Sequence, residues 1–440
     1  MSEPVQEKRQ MRRARHSTAA SADARMSLGM PSFGSSFEAD AEGIGGRRTL
    51  VIVGGGATGA AGLDQAVRDV ARLGCGRRTR IVVIDGAEVP FRRLAYATPL
   101  ASHIMNMPLE TLVTDPERPL AFWDHLVATG QAPPALPVNQ IFPPRAAMGT
   151  FLEQEAARAI AAGRANGVEI DILRDRVVDL VPGARITLVT DFGRRIAADR
   201  VLLALGNQAS TATERFRGHP ALVPSPYDVV RIAEIPKHAQ VAILGTSLSM
   251  IDAVLALEAL GHEGTVLAVS RSGRLPDLRR PVYPALRLRH LCPRRLAAAG
   301  FGAGRRLSAS QTVRLWRREA ARFGIDRRIA GLAPPAPGEA AVAHLAREAA
   351  AADLPCRLPS LIQAVSDAAP ALWAMQTETA RRWLMSRLGT EWAARAYPCP
   401  PVNGCRLLDW LRSGRLAVAR CDRAGADGVE IALAGGQVAL

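Results

Sequence analysis

Leu50-Val51-Ile52-Val53-Gly54-Gly55-Gly56-Ala57-Thr58-Gly59 is a short β-branched run that breaks into a glycine-rich turn. The next residues, from about Ala57 to Leu73, carry the spacing of a helix. Thr79-Arg80-Ile81-Val82-Val83-Ile84-Asp85 then reads as a second buried strand. Strand, glycine turn, helix and strand in this order make a βαβ unit of a parallel sheet. The glycine spacing has a chemical reason. Gly54 permits the tight turn after the strand, Gly56 lets a pyrophosphate approach the backbone, and Gly59 lets the helix pack close to the sheet. The helix N-terminus offers free N–H groups and a positive dipole end to phosphates. Asp85 ends the second strand, where an acid binds a ribose hydroxyl. The residues expected at this dinucleotide site are Gly54, Gly55, Gly56, Ala57, Thr58, Gly59 and Asp85.

Working outward, residues 1–47 are rich in Ser, Ala, Arg and Gly without an apolar period, and read as an unstructured basic tail. Residues 90–145 are irregular and proline-rich. A helix is expected over 145–165 and strands over 168–173 and 176–181. A hairpin is expected around Asp191-Phe192-Gly193, and a further buried strand runs over 200–207. A second βαβ unit starts at Gln240. Val241–Leu244 leads into Gly245-Thr246-Ser247-Leu248-Ser249-Met250, a helix runs to about Leu260, and Thr265–Arg271 forms the second strand. Residues 281–398 are largely helical, and short strands return over 414–440. Five of the six tryptophans, Trp316, Trp373, Trp383, Trp392 and Trp410, are assigned to helix packing.

The second turn departs from the glycine pattern. Ser247 replaces one glycine with a small residue. Met250 replaces the third, which requires looser helix–sheet packing or a different helix tilt. Arg271 follows the second strand, where an acid would select NADH; an arginine there pairs with a 2′-phosphate and favours NADPH. The bland alternative for Arg271 is a solvent-facing charge. Two nucleotide sites of unequal type imply a resident flavin, FAD, and an exchanging nicotinamide, NAD(P)H, whose hydride passes to it. The fold class that follows is α/β. It has two Rossmann-type dinucleotide-binding domains: an FAD domain over 48–236, and an inserted NAD(P) domain with its core over 237–280. A helical insertion occupies 281–398, and 399–440 returns towards the FAD domain.

Composition narrows the alternatives. The chain has 440 residues, 48% of them hydrophobic, enough for more than one packed core. Its 56 Lys+Arg against 41 Asp+Glu give +15, a surplus that leaves nucleic acid or acidic lipid open. The arginines are scattered and no nucleic-acid motif is present, which favours a generally basic surface. The six cysteines form no C-x-x-C pair, so neither a zinc ribbon nor a dithiol redox centre is expected. Six of the eight histidines, His103, His125, His219, His238, His262 and His290, are dispersed without metal spacing, so no metal is expected. No apolar run is long enough to span a membrane and no signal-peptide core is evident, so a cytoplasmic protein is expected.

These blocks together resemble a family. Val51–Ala60, Leu94–Pro99, Ile104–Pro108, Phe122-Trp123, Phe142–Arg145, Leu202–Asn207, Ile243–Asp252 and Ser270–Pro276 are similar to the bacterial FAD-NAD(P)-binding proteins related to flavin-dependent N-hydroxylating monooxygenases. The resemblance covers about 48–440. It implies that the segments holding Tyr96 and Asn106 cross the FAD near the flavin. It also implies that the strand ending at Gly206 closes on the ADP half. The family has Ala-Thr-Gly there, where this chain has Ala204-Leu205-Gly206. Arg92 and Arg93 stand where the family tends to carry glycine, which would crowd or recharge the cofactor approach. Related proteins continue past the final hairpin into another strand, whereas this sequence stops at Leu440, so the resemblance implies a missing closing strand.

The expected function is an FAD-dependent NAD(P)H oxidoreductase acting on a small molecule. The resemblance implies a monooxygenase that passes one oxygen of O₂ to a small nucleophile. No side chain is nominated as acid or base. The rival reading is a non-catalytic nucleotide-binding or interaction protein, favoured by the altered motifs. A nucleic-acid-associated protein is favoured by charge alone.

Overall fold

The computed structural model describes residues 47–115, 117–132, 140–206, 218–281, 286–326, 341–354, 356–420, 431–433 and 436–438. The expected tail, apart from Arg47, lies outside the described residues, as do Asn207 and, from the segment behind the expected closing-strand gap, Gly435, Ala439 and Leu440.

The first unit has the α/β organisation expected. β1 (Arg48–Val53), α1 (Ala57–Arg72), β2 (Thr79–Ile84), α2 (Ala121–Ala128), α3 (Arg145–Ala165) and β3 (Glu169–Leu173) follow in order. β4 (Val177–Val181), β5 (Ile186–Thr190), β6 (Arg195–Ala198) and β7 (Arg200–Leu203) complete it. The parallel sheet has the order β3-β2-β1-β7, with Leu50 opposite Ile81 on one side and Arg200 on the other. In α1, Leu63, Val67 and Val70 recur at helical spacing and face the sheet. Each is worth about 1.5–3 kcal/mol when fully buried. They pack with Phe151 and Leu152 of α3 and with Leu50, Ile52, Ile81 and Val83 in one core. The opposite face of the sheet, Val51, Val53, Val82 and Ile84, is covered by Leu188 and Ala198 of the antiparallel sheet β4-β5-β6. The unit is therefore three layers: helices, parallel sheet and a small β-meander.

The second unit is built on α4 (Val229–Ala233), β8 (Val241–Leu244), α5 (Leu248–Ala259) and β9 (Val266–Ser270). A third body is helical: α6 (Pro293–Ala298), α7 (Ala309–Arg322), α8 (Ala341–Ala350), α9 (Arg357–Ala374) and α10 (Glu378–Ala396). Leu296, Trp316, Leu361 and Leu372 give it a core of its own, while α8 sends Leu345 into the core of the second unit. Two of the five tryptophans do not pack as expected, because Trp373 and Trp383 are exposed. Trp316 and Trp392 meet edge to face at 5.8 Å, and Trp410 donates to Glu258.

The expected return of 399–440 to the first domain does not occur in the described residues up to 420. α11 (Pro401–Arg412) packs its Leu407, Leu408 and Trp410 into the second core. β10 (Leu416–Arg420) then pairs in parallel with β9, giving the order β10-β9-β8. An alternating Leu-Ala-Val-Ala run fits any parallel edge, and the backbone of Arg415, whose carbonyl accepts from Val266, directs it to this one. β11 (Ile431–Leu433) and β12 (Gly436–Val438) form an antiparallel pair. No helix among the described residues is long and apolar enough to cross a membrane.

Candidate functional site

The C-terminal edge of the first parallel sheet carries the loops after β1, β2 and β7, which meet at Gly54. Gly54 has φ +103° and its N–H donates to the Ile84 carbonyl at 2.8 Å. A Cβ there would overlap the Ala204 carbonyl oxygen, and a Cβ on Gly59 would overlap the Gly54 carbonyl oxygen. Both glycines are thus demanded by the fold itself. Gly56 differs: nothing lies within 4 Å of where its Cβ would be. It is the N-cap of α1, with no side-chain cap and no acid in the first turn. The N–H groups of Ala57, Thr58 and Gly59 precede the first intrahelical donor, Ala60, which bonds the Gly56 carbonyl. This is an open, uncapped helix N-terminus bounded by backbone, a shape and charge that fit a pyrophosphate. Gly206, exposed with φ +68°, follows Ala204 on the same edge.

Asp85 is buried and engaged on both oxygens. Its Oδ2 accepts from the Gly55 N–H at 2.5 Å, and its Oδ1 accepts from the Ala87 N–H at 2.7 Å and from Arg93 Nη1 at 3.0 Å. The acid therefore ties the glycine turn to the end of β2 and is charge-paired with Arg93. Arg92 lies against the start of α3, where its Cγ would be 3.1 Å from a Cβ on Gly149. The segment is held in an uncommon backbone: Phe91 and Leu94 have φ +67° and +46°. Tyr96 closes it, half-buried on the first core. Asn106 is half-buried, and its carbonyl accepts from Arg279 Nε of the second unit at 2.9 Å.

The second turn repeats the first in outline. Gly245 has φ +117°, and its N–H donates to the Val269 carbonyl at 2.7 Å. Helix α5 begins at Leu248, three residues on, as α1 begins three residues after Gly54. Ser247 is its exposed N-cap, without a side-chain cap bond. Met250, at the position equivalent to Gly59, is buried in the second core. Thr246 is buried, with its Oγ1 2.8 Å from Ser270 Oγ and donating to the Arg274 carbonyl at 2.8 Å. Arg271 is exposed directly after β9.

Between the two units lies a buried polar cluster that has no signal in the sequence. Asp252 of α5 accepts from Arg145 Nη2 at 2.9 Å and from the Tyr227 hydroxyl at 2.7 Å, all on Oδ2. His103 Nε2 lies 3.0 Å from the Asp252 carbonyl, and its Nδ1 2.7 Å from Thr98 Oγ1. A carbonyl only accepts, so His103 carries its proton on Nε2 and accepts from Thr98 on Nδ1. Burial raises the Asp252 carboxyl above its ordinary value against the pull of Arg145, raises the Tyr227 phenol, and lowers the His103 imidazole. Arg145, the first residue of α3, thus fastens the first unit to the second. Contacts over 107 positions, made by single residues, leave no periodicity to read.

A parallel sheet with a glycine turn before an open helix N-terminus defines a dinucleotide-binding α/β unit. Residues 51–208, running from β1 through β7, match the model of a family described as FAD-NAD(P)-binding, and this region is such an FAD-NAD(P)-binding domain. No curated protein matches the chain. Among solved structures it aligns with the reduced form of ornithine hydroxylase from Pseudomonas aeruginosa at 13% identity and TM-score 0.42, over 62% of this chain and 64% of that one. It aligns with the flavin-containing monooxygenase from Stenotrophomonas maltophilia at 17% and 0.31, over 51% and 58%. With Lactococcus lactis thioredoxin reductase the values are 16% and 0.31, over 52% and 58%. The chain thus spans less than two thirds of the length of each of these proteins.

Proposed function

We propose that the chain is an FAD-dependent NAD(P)H oxidoreductase of the monooxygenase type, acting on a small molecule. The observation that carries this reading is the open space before Gly56 at an uncapped helix N-terminus. In this reading 48–236 is the FAD domain. Gly54, Gly55, Gly56, Ala57, Thr58 and Gly59 receive the FAD pyrophosphate. Asp85 keeps the turn closed and, with Arg93, faces the ribose. Tyr96, Asn106 and Gly206 line the cofactor. The NAD(P) domain combines 237–280 with α11 and β10. Gly245 and Ser247 take the nicotinamide cofactor's pyrophosphate, and Arg271 the 2′-phosphate of NADPH. FAD, when bound, supplies the redox chemistry, accepting hydride and handing electrons to O₂. The protein's part is to bind, orient and exclude water. The Asp252–Arg145–Tyr227 cluster holds the two units in fixed relation, so that one cofactor is presented to the other.

The rival reading is a nucleotide-binding or interaction protein without turnover. An absorption spectrum of the purified protein, before and after anaerobic NADPH, separates the two. A flavin spectrum that bleaches supports the oxidoreductase. A bound flavin that stays oxidised supports the second reading. No flavin after reconstitution with FAD removes both.

A further inference from the structure

A cavity of about 350 Å³ lies between the loop after β9, helices α8 and α9, and the end of α10, within the size range of small-molecule sites. Five arginines line it, against the carboxylates Asp277 and Glu348. Glu391 behind the wall adds a third, reaching Arg274 at 3.3 Å. His344 adds no charge at neutral pH, since burial lowers its imidazole. The arginines outnumber these three carboxylates, and Glu110, acting on Arg279, offsets part of that excess. Apart from Gln363 the rest of the lining is apolar, with Leu358 and Ile362 of α9 prominent.

The arginines are not equivalent. Arg274 is consumed by Asp277 at 2.6 Å, Glu391, and His344 at 2.8 Å. Arg280 is taken by Glu348 at 2.9 Å. No carboxylate hydrogen bond to Arg279 is seen among the described residues, and Glu110 acts on it only through its charge. Arg279 gives Nε to the Asn106 carbonyl and one Nη2 proton to Met107 Sδ at 3.3 Å. Of the five N–H donors of a guanidinium, three remain. Burial outweighs the pull of Glu110 and lowers the pKa of Arg279 to about 10. The backbone beneath it is fixed on both sides: Asp277 N–H donates to the Ala394 carbonyl, Cys399 N–H to that of Asp277, and Arg279 N–H to that of Cys399, at 2.7–3.0 Å. A partly buried guanidinium on a fixed backbone, with a free edge, suits a planar anion, and the apolar residues of the lining suit a carbon body.

We propose that this cavity binds a small organic carboxylate, held at the free edge of Arg279 with its apolar body against Leu358 and Ile362. The acid lies beside the Asn106 segment. Its role as substrate rests on the oxidoreductase reading, but its binding does not.

The test is calorimetric titration of the full chain, with and without FAD, using hexanoate, hexan-1-ol and inorganic phosphate at constant ionic strength. Hexanoate is expected to bind in preference to both. Arg279→Gln is expected to weaken it about tenfold or more. Gln363→Glu, a near-isosteric change in the lining that spares Arg279, weakens it as well and guards against a folding failure of the first variant. Arg382→Gln, on an exposed face of α10, leaves it unchanged. The proposal is overturned if hexan-1-ol binds equally, if phosphate competes equally, if 2′,5′-ADP displaces hexanoate, or if neither lining variant alters the affinity. Hexanoate binding without NADPH bleaching removes the oxidoreductase reading and keeps the cavity. Bleaching without hexanoate binding does the reverse.

Discussion

The two glycine turns share a start, a positive-φ glycine and a helix three residues later, and then part company. In the first, Gly54 and Gly59 are pressed against carbonyl oxygens of Ala204 and Gly54. In the second, no atom stands within 4 Å of a Cβ built on Gly245, and a methionine fills the place of Gly59. The first turn is specified by packing, and the second mainly by backbone conformation. A glycine motif therefore mixes two kinds of glycine, those the fold requires and those that leave room.

That difference predicts unequal costs. Gly54→Ala combines a strained φ with overlap on the Ala204 carbonyl, and should cost about 4 kcal/mol. Urea unfolding of the FAD-free protein measures it; a loss under about 1 kcal/mol would mean that β7 does not close on the turn. The next effect concerns the joint between the two regions. Arg145→Met leaves the Asp252 carboxyl buried without its cation, at a cost of about 3 kcal/mol or more. It should also split a single unfolding transition into two as the units uncouple, which calorimetry would resolve. One unshifted transition would show the cluster to be ornamental.

How much of this the sequence carried depended on how local each signal was. β1, α1 and β2 were legible because strand, turn and helix are contiguous and their apolar spacing is strong. The destination of β10 was not, since Leu416–Arg420 pairs with Val266–Ser270 across the whole helical body, and strand pairing leaves no mark on such a short run. The Asp85 position was found by its place at the end of β2, but its partner Arg93 was seen only as a departure from a family pattern. Asp252, Tyr227 and His103 are isolated polar residues in apolar or irregular surroundings, and only the fold brings them together.

The smaller effects separate the two kinds of glycine. Gly245→Ala meets strain but no atom, so about 1–2 kcal/mol is expected, well below Gly54→Ala in the same urea experiment. Equal losses would mean that the second turn is packed as tightly as the first. Gly56→Ala should barely touch stability. Gly56 has φ −77°, open to any residue, and the exchange costs under about 1 kcal/mol as a poorer N-cap. Its methyl would instead occupy the space through which a pyrophosphate reaches the α1 N–H groups. FAD affinity, measured by flavin fluorescence quenching, should fall about tenfold or more. A variant as stable as the parent but poor in FAD marks Gly56 as the glycine that leaves room for the ligand. If FAD binds unchanged, the pyrophosphate does not approach at Gly56, and the open space there belongs to solvent.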